Sequence, residues 1–180
     1  MQGALTQTSN RYDLAIDGQG YFQVDLASGE TGYTRAGSFQ VSDQGELVTS
    51  EGFRLNPGIT IPQGVVDVVI SKTGEVQVKV ADSPDMQTVG QIQLATFVNE
   101  AGLESMGSNL LKETAASGQA TVASPGEPGF GTLSQGFVEA SNVNPVSEIT
   151  ALITAQRAYE MNSRVLKTAD EMLQTSTQTV

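Results

Sequence analysis

The sequence has no cysteine, no histidine and no tryptophan. Without histidine and cysteine, Ser-His-Asp and Cys-His nucleophile systems, thiolate metal sites, haem ligation by histidine and structural disulfides are all excluded. Charge is also scarce. Only 16% of residues are charged, and 9 basic residues stand against 20 acidic ones, a net charge of -11. The few dispersed basic residues argue against a nucleic-acid footprint or a polybasic membrane patch. No apolar run reaches the length of a membrane span, so no membrane insertion is expected. The first residues, Met1 to Thr8, hold neither a basic n-region nor an apolar h-region, so no cleavable secretory signal is visible. What fills the space is uncharged polarity: 16 Ser, 18 Thr, 7 Asn and 16 Gln make 57 of 180 residues. Such a surface hydrogen-bonds without a dense charge field and suits lateral packing.

From Leu14 to Val98 the pattern is that of β structure, with short runs rich in Val, Ile, Phe, Tyr and Thr between Gly, Asp and Asn clusters. Strands are predicted at Tyr21–Leu26, Tyr33–Arg35, Phe39–Val41, Glu46–Thr49, Val65–Ile70, Glu75–Val80 and Gln91–Val98. Two hairpins stand out. One turns through Ser42-Asp43-Gln44-Gly45 and the other through Ser71-Lys72-Thr73-Gly74, with glycine supplying the positive φ of a tight turn. Their common wording, Ser-x-x-Gly-Glu followed by Leu or Val, is a weak repeat of period 29. The expected organisation is a mainly β domain over 1–112, irregular and hairpin-rich, a linker or long loop over 113–131 and a strand-like approach segment over 132–144. One long C-terminal helix of coiled-coil type follows over 145–180.

The helix is signalled by a stretch from Pro145 to about Ser176 without glycine or internal proline. Asn144 is the expected N-cap, Pro145 fits the first helical position and Glu148 suits the first turn. Within it Leu152, Tyr159, Leu166 and Leu173 recur at intervals of seven, with Ala155, Asn162 and Ala169 three residues after the first three. This spacing is that of a coiled-coil assembly seam. Ala158, Val165 and Met172 broaden it. The chain holds no second long helix to cover the seam, although the stripe could instead fold back as core onto the β domain. Burying four large seam residues is worth roughly 1.5 to 3 kcal/mol each.

Catalytic and cofactor readings are weaker. Asp17-Gly18-Gln19-Gly20 lacks the alternating acidic ligands of a calcium loop, and no helix follows it to cradle phosphate. Carboxylate pairs such as Asp82 with Asp85, or Glu46 with Glu51, fit solvated turns better than a glycosidase pair. No catalytic residue, cofactor site or metal site is therefore assigned.

Several separated stretches occur in a meaningful order: Asp13 to Val24, Tyr33-Thr34-Arg35-Ala36-Gly37-Ser38-Phe39, Gly136-Phe137-Val138-Glu139, Ser141 to Glu148, Gln156 to Ser163 and Thr168 to Leu173. Together they resemble the bacterial flagellar rod and hook axial family, and within it the distal-rod branch rather than the proximal rod or the hook. The resemblance implies a structural, non-enzymatic subunit of the flagellar basal body, exported by the flagellar type III apparatus without a cleavable signal and lying between periplasm and outer membrane. It implies a helical homo-polymer that transmits torque, with proximal rod, hook and surrounding ring proteins as neighbours. Family members open with a helical N-terminal segment that pairs with the C-terminal helix, and this sequence is expected to start after it. A trimeric fibre or adhesin, with a β head on a coiled-coil stalk, shares the amide-rich surface and the heptad.

Overall fold

A computed structural model describes residues 2–81, 85–141 and 145–178. The chain divides into two units, Met1–Ala140 and Ser141–Val180, the first built of β-strands and the second of one helix, Pro145–Gln178.

The strand Tyr21–Asp25 is the hub of the β unit. One edge pairs with Thr31–Thr34 in antiparallel register, Phe22 opposite Thr34. The other edge is shared: Arg54–Asn56 covers Gln23 to Asp25, and Leu94–Thr96 covers Tyr21 and Phe22. Tyr21, Phe22, Gln23 and Val24 are consequently all buried, so the strand reads as a continuous run rather than an alternation. The sheet extends through Leu110–Lys112 to Glu104–Gly107 on one side and through Leu47–Thr49 to Phe39–Val41 on the other. A separate three-stranded sheet has Glu75–Val80 between Val65–Ile70 and Met86–Gln91. Two further pairs are Leu14–Asp17 with Thr132–Gln135 and Leu5–Gln7 with Phe137–Glu139.

Inward residues of these pieces form one core around Phe22, Phe39, Leu14, Ile16, Leu55 and Val76. Phe22 and Phe39 meet edge to face at 5.1 Å. On the opposite face of the hub strand, Tyr21 and Tyr33 pack edgewise on Phe97, at 5.9 and 4.8 Å, as a smaller aromatic cluster. The Gln135 side chain stands in for a piece of strand. Its carbonyl accepts from Ile70 N–H (3.0 Å) and its amide donates to the carbonyls of Val68 (2.9 Å) and Arg11 (2.8 Å).

Both expected hairpins form with the anticipated turns, Val41 opposite Leu47 and Ile70 opposite Val76. The weak repeat is a shared arch. Gly45 and Gly74 sit at φ 83 and 87, and each N–H bonds back to the carbonyl of its own serine, Ser42 or Ser71. Each glycine carbonyl then accepts the amide of an isoleucine, Ile61 or Ile92, at 2.7 Å. A Cβ on either glycine would strike that isoleucine's carbonyl, so both positions are closed to other residues.

Other elements differ from expectation. The run Gln91–Val98 is split, because Gln91 ends one strand and Leu94–Thr96 joins a different sheet. The strand-like segment expected over 132–144 is broken at Gly136, whose φ of 75 separates Thr132–Gln135 from Phe137–Glu139. Residues 113–131 are no mere linker. Thr121–Ala123 pairs with Leu94–Thr96, and the Thr114–Ser117 turn closes on its own hydroxyls, leaving Ser117 buried. This segment is integrated through hydrogen bonds that small residues make as well as large ones, which is why its composition suggested a loop. The β unit accordingly runs to Ala140 rather than ending near 112.

Candidate assembly site

The first and last strands of the β unit lie side by side. Leu5, Thr6 and Gln7 oppose Glu139, Val138 and Phe137, and Ala140 N–H donates to Ala4 carbonyl at 2.8 Å. Gly3 passes so near the Ala140 carbonyl that any Cβ there would collide with it. The entering chain and the chain leading to the helix therefore cross the edge of the unit at one place. Gln2 pins this ribbon to the core, donating to Ile16 carbonyl (2.6 Å) and accepting from Gly18 N–H (3.2 Å).

Arg35 organises the junction. Its Nε donates to Glu139 Oε2 at 2.9 Å, while Nη1 and Nη2 donate to the carbonyls of Gly20 (3.2 Å) and Gly18 (3.0 Å). The guanidinium carbon lies 5.8 Å from the Tyr21 ring centroid. The other Glu139 oxygen accepts from Gly3 N–H at 2.7 Å. Three stretches that carry the family resemblance thus meet here: Asp17 to Gly20, Tyr33 to Phe39 and Gly136 to Glu139. Neither Arg35 nor Glu139 was assigned a role from sequence; their presence in two separated motifs was the available signal.

The residues expected to form the seam fall within the helix. Leu152 is 60% and Tyr159 78% exposed, and Ala155 and Asn162 are exposed beside them. Leu166, Ala169 and Leu173 fall on the same helix, but their side chains, like Asn144, lie outside what the structure describes. Of the residues thought to broaden the stripe, Val165 is 66% exposed. None of the described stripe residues is buried. Val146, Ile149 and Ile153, spaced three and four apart, add a further exposed apolar strip on the first turns, one that the heptad reading missed. Thr150 and Thr154 satisfy their hydroxyls on the carbonyls four residues earlier, at 2.7 and 2.8 Å, which leaves apolar carbon rather than unpaired polar groups at the surface.

The acidic residues weighed as chemistry have structural partners or lie aside. Glu46 pairs with Arg54 at 2.9 Å, and Asp82 is outside the described residues. Among the described residues no group of three or more acidic side chains is placed to hold a metal, and no helix is long and apolar enough to cross a membrane.

A ribbon that ties the first strand of the β unit to its last, together with a near-neutral helix on which Val146, Leu152, Tyr159 and Val165 are exposed, is equipment for holding other polypeptide, the property of a structural assembly protein. Comparison with known proteins agrees. Residues 15–78 match the flagellar hook protein FlgE/F/G D1 domain and residues 134–179 the flagellar basal body rod FlgEFG protein C-terminal model. The flagellar basal-body rod protein FlgG of Caulobacter vibrioides is 63% identical over 98% of the chain and 68% of its own length. FlgG of Agrobacterium fabrum is 48% identical over 95% of the chain and 65% of its own. FlgF of Caulobacter vibrioides is 37% identical over 95% of the chain and 66% of its own length. The chain spans about two thirds of the length of these relatives. It belongs to the flagellar rod and hook family, and within it is a structural component of the basal-body rod.

Proposed function

We propose that the chain is a distal-rod subunit that polymerises into a helical tube through its terminal helix and carries torque toward the hook. Identity of 63% to FlgG against 37% to FlgF of the same bacterium supports the distal rather than the proximal assignment. The observation that carries the mechanism is the exposure of Leu152 and Tyr159, 60% and 78%, seven residues apart on Pro145–Gln178. Apolar surface of that kind is stabilised when another helix covers it in coiled-coil fashion. Because the entering strand lies against the strand that leads to the helix, a helical segment preceding Gln2 would enter next to Ser141, where it can supply one cover; neighbouring subunits supply the rest. No chemical step is involved. Subunits reach the periplasm by type III export and meet proximal rod, hook and ring proteins there.

The test is Leu152→Asp in the polypeptide as the cell makes it. The seam contact is worth roughly 1.5 to 3 kcal/mol, so polymers seen by electron microscopy and motility should be lost while the melting temperature of the β unit is unchanged. Glu160→Ala, off the seam, should change little, within about 0.5 kcal/mol. Normal polymers from Leu152→Asp overturn the seam, and a discrete closed trimer of the unmodified protein would mark a fibre stalk instead, since an open helical array does not close.

A further inference from the structure

We infer that Arg35 is the positioning residue for assembly: it clamps the exit strand to the Gly18–Gly20 loop and so fixes where the first and last segments leave the β unit. The inference rests on the assembly reading above, because only an assembling subunit needs its two terminal segments delivered from one fixed place. Among the described residues, Leu5–Gln7 pairs with no strand except Phe137–Glu139. That ribbon has three residue pairs, all exposed or half-buried, and a two-stranded ribbon of this size is marginal by itself. Side-chain ties must therefore decide whether it stays docked.

Arg35 reaches three acceptors from one planar group: Glu139 at 2.9 Å, Gly20 at 3.2 Å and Gly18 at 3.0 Å. Through the second Glu139 oxygen it also holds Gly3 of the entering chain. The Arg35 and Glu139 side chains are 25% and 14% exposed, against 50% and 54% for the peripheral pair Arg11–Asp67. Shielding of this degree strengthens charge-assisted bonds. A lysine carries the charge but not the fork. Swapping the two side chains, Arg35→Glu together with Glu139→Arg, would restore the charges but leave the Gly18 and Gly20 carbonyls without their donor.

Amide hydrogen exchange on the 180-residue chain tests the clamp directly. In Arg35→Ala the ladder amides of Leu5–Gln7 and Phe137–Glu139 should exchange about tenfold faster or more, the change expected from losing a charge-assisted bond, while Val24 and Val78 in the core keep their rates. The double variant Arg35→Glu/Glu139→Arg should not restore protection, Arg35→Lys should restore part of it, and Arg35→Ala should impair rod assembly in cells. Unchanged ribbon exchange, parallel loosening of the core, full rescue by the exchanged pair, or normal assembly with a loosened ribbon would each overturn the proposal. If instead Leu152→Asp polymerises normally while Arg35→Ala loosens the ribbon, the clamp stands and the seam reading falls.

Discussion

The β unit carries six basic and sixteen acidic side chains, the helical unit three and four, so -10 of the net -11 sits on the β unit and -1 on the helix. Apolar surface is divided the other way. In the β unit the large side chains of Phe22, Phe39 and Leu55 are wholly buried, whereas on the helix Val146, Leu152, Tyr159 and Val165 are 60% exposed or more. The β unit thus has a core of its own and a net charge that repels its own kind, and the helix has little of either. Self-repulsion of a net charge favours solubility, while near-neutral apolar helices can be brought together without an electrostatic cost. Stability of the β unit is internal, whereas the proposed assembly would supply that of the helix from outside.

That contrast is broken most easily at the core. Phe22→Ala removes a fully buried ring packed 5.1 Å from Phe39 and should destabilise the β unit by about 3 to 5 kcal/mol, read as a lower thermal midpoint in the near-ultraviolet aromatic signal. An unchanged midpoint would show that this unit does not depend on its own core. The arches sharpen the contrast at intermediate size. Gly52→Ala, at φ 89 in open space, should cost only the left-handed penalty of about 1 to 2 kcal/mol. Gly74→Ala, with Ile92 carbonyl in the way, should cost more. Equal denaturation midpoints for the two variants would remove the arch from the account.

The smallest effect appears only in alkali. Burial, followed by the neighbouring Glu113 carboxylate, pushes the Tyr33 phenol from its ordinary 10.0 up to about 12. Its raised value means that the folded state keeps the proton longer than the unfolded chain does. The stabilisation is therefore complete below pH 10 and is lost as the pH rises to about 12. Tyr33→Phe should flatten denaturation midpoints measured across that window and leave them alone at about pH 7. Some slope should persist, since burial and Glu100 raise Tyr21 as well.

How much of this was legible in the sequence depended on the range of the interaction. Both hairpins were readable almost to the residue, because alternation and a turn glycine lie close together along the chain. The helix was readable for the same reason, since its composition and the spacing of Leu152 and Tyr159 are local properties of the chain. Thr121–Ala123 was not, since a strand of small residues acquires its identity from Leu94–Thr96, a distant partner that the local pattern does not announce. The Arg35–Glu139 clamp spans 104 positions, and nothing in either neighbourhood says that the two side chains meet. The continuation of the β unit to Ala140 was hidden for the same reason, Gln135 reaching back to Arg11 and Val68.

The ribbon formed by Leu5–Gln7 and Phe137–Glu139 also has a mechanical grain. Because the strands run antiparallel with Leu5 opposite Glu139, the incoming and outgoing chains occupy the same end of it. Pulling those chains apart loads the ladder one bond at a time from that end, the peeling mode in which a ribbon yields at low force. Drawing both in the same direction puts no such crack-opening load between them, and the pull passes instead to Gln2, Arg35 and Glu139 acting together. A subunit wired in this way is compliant when its two ends are separated and stiff when they are driven as one.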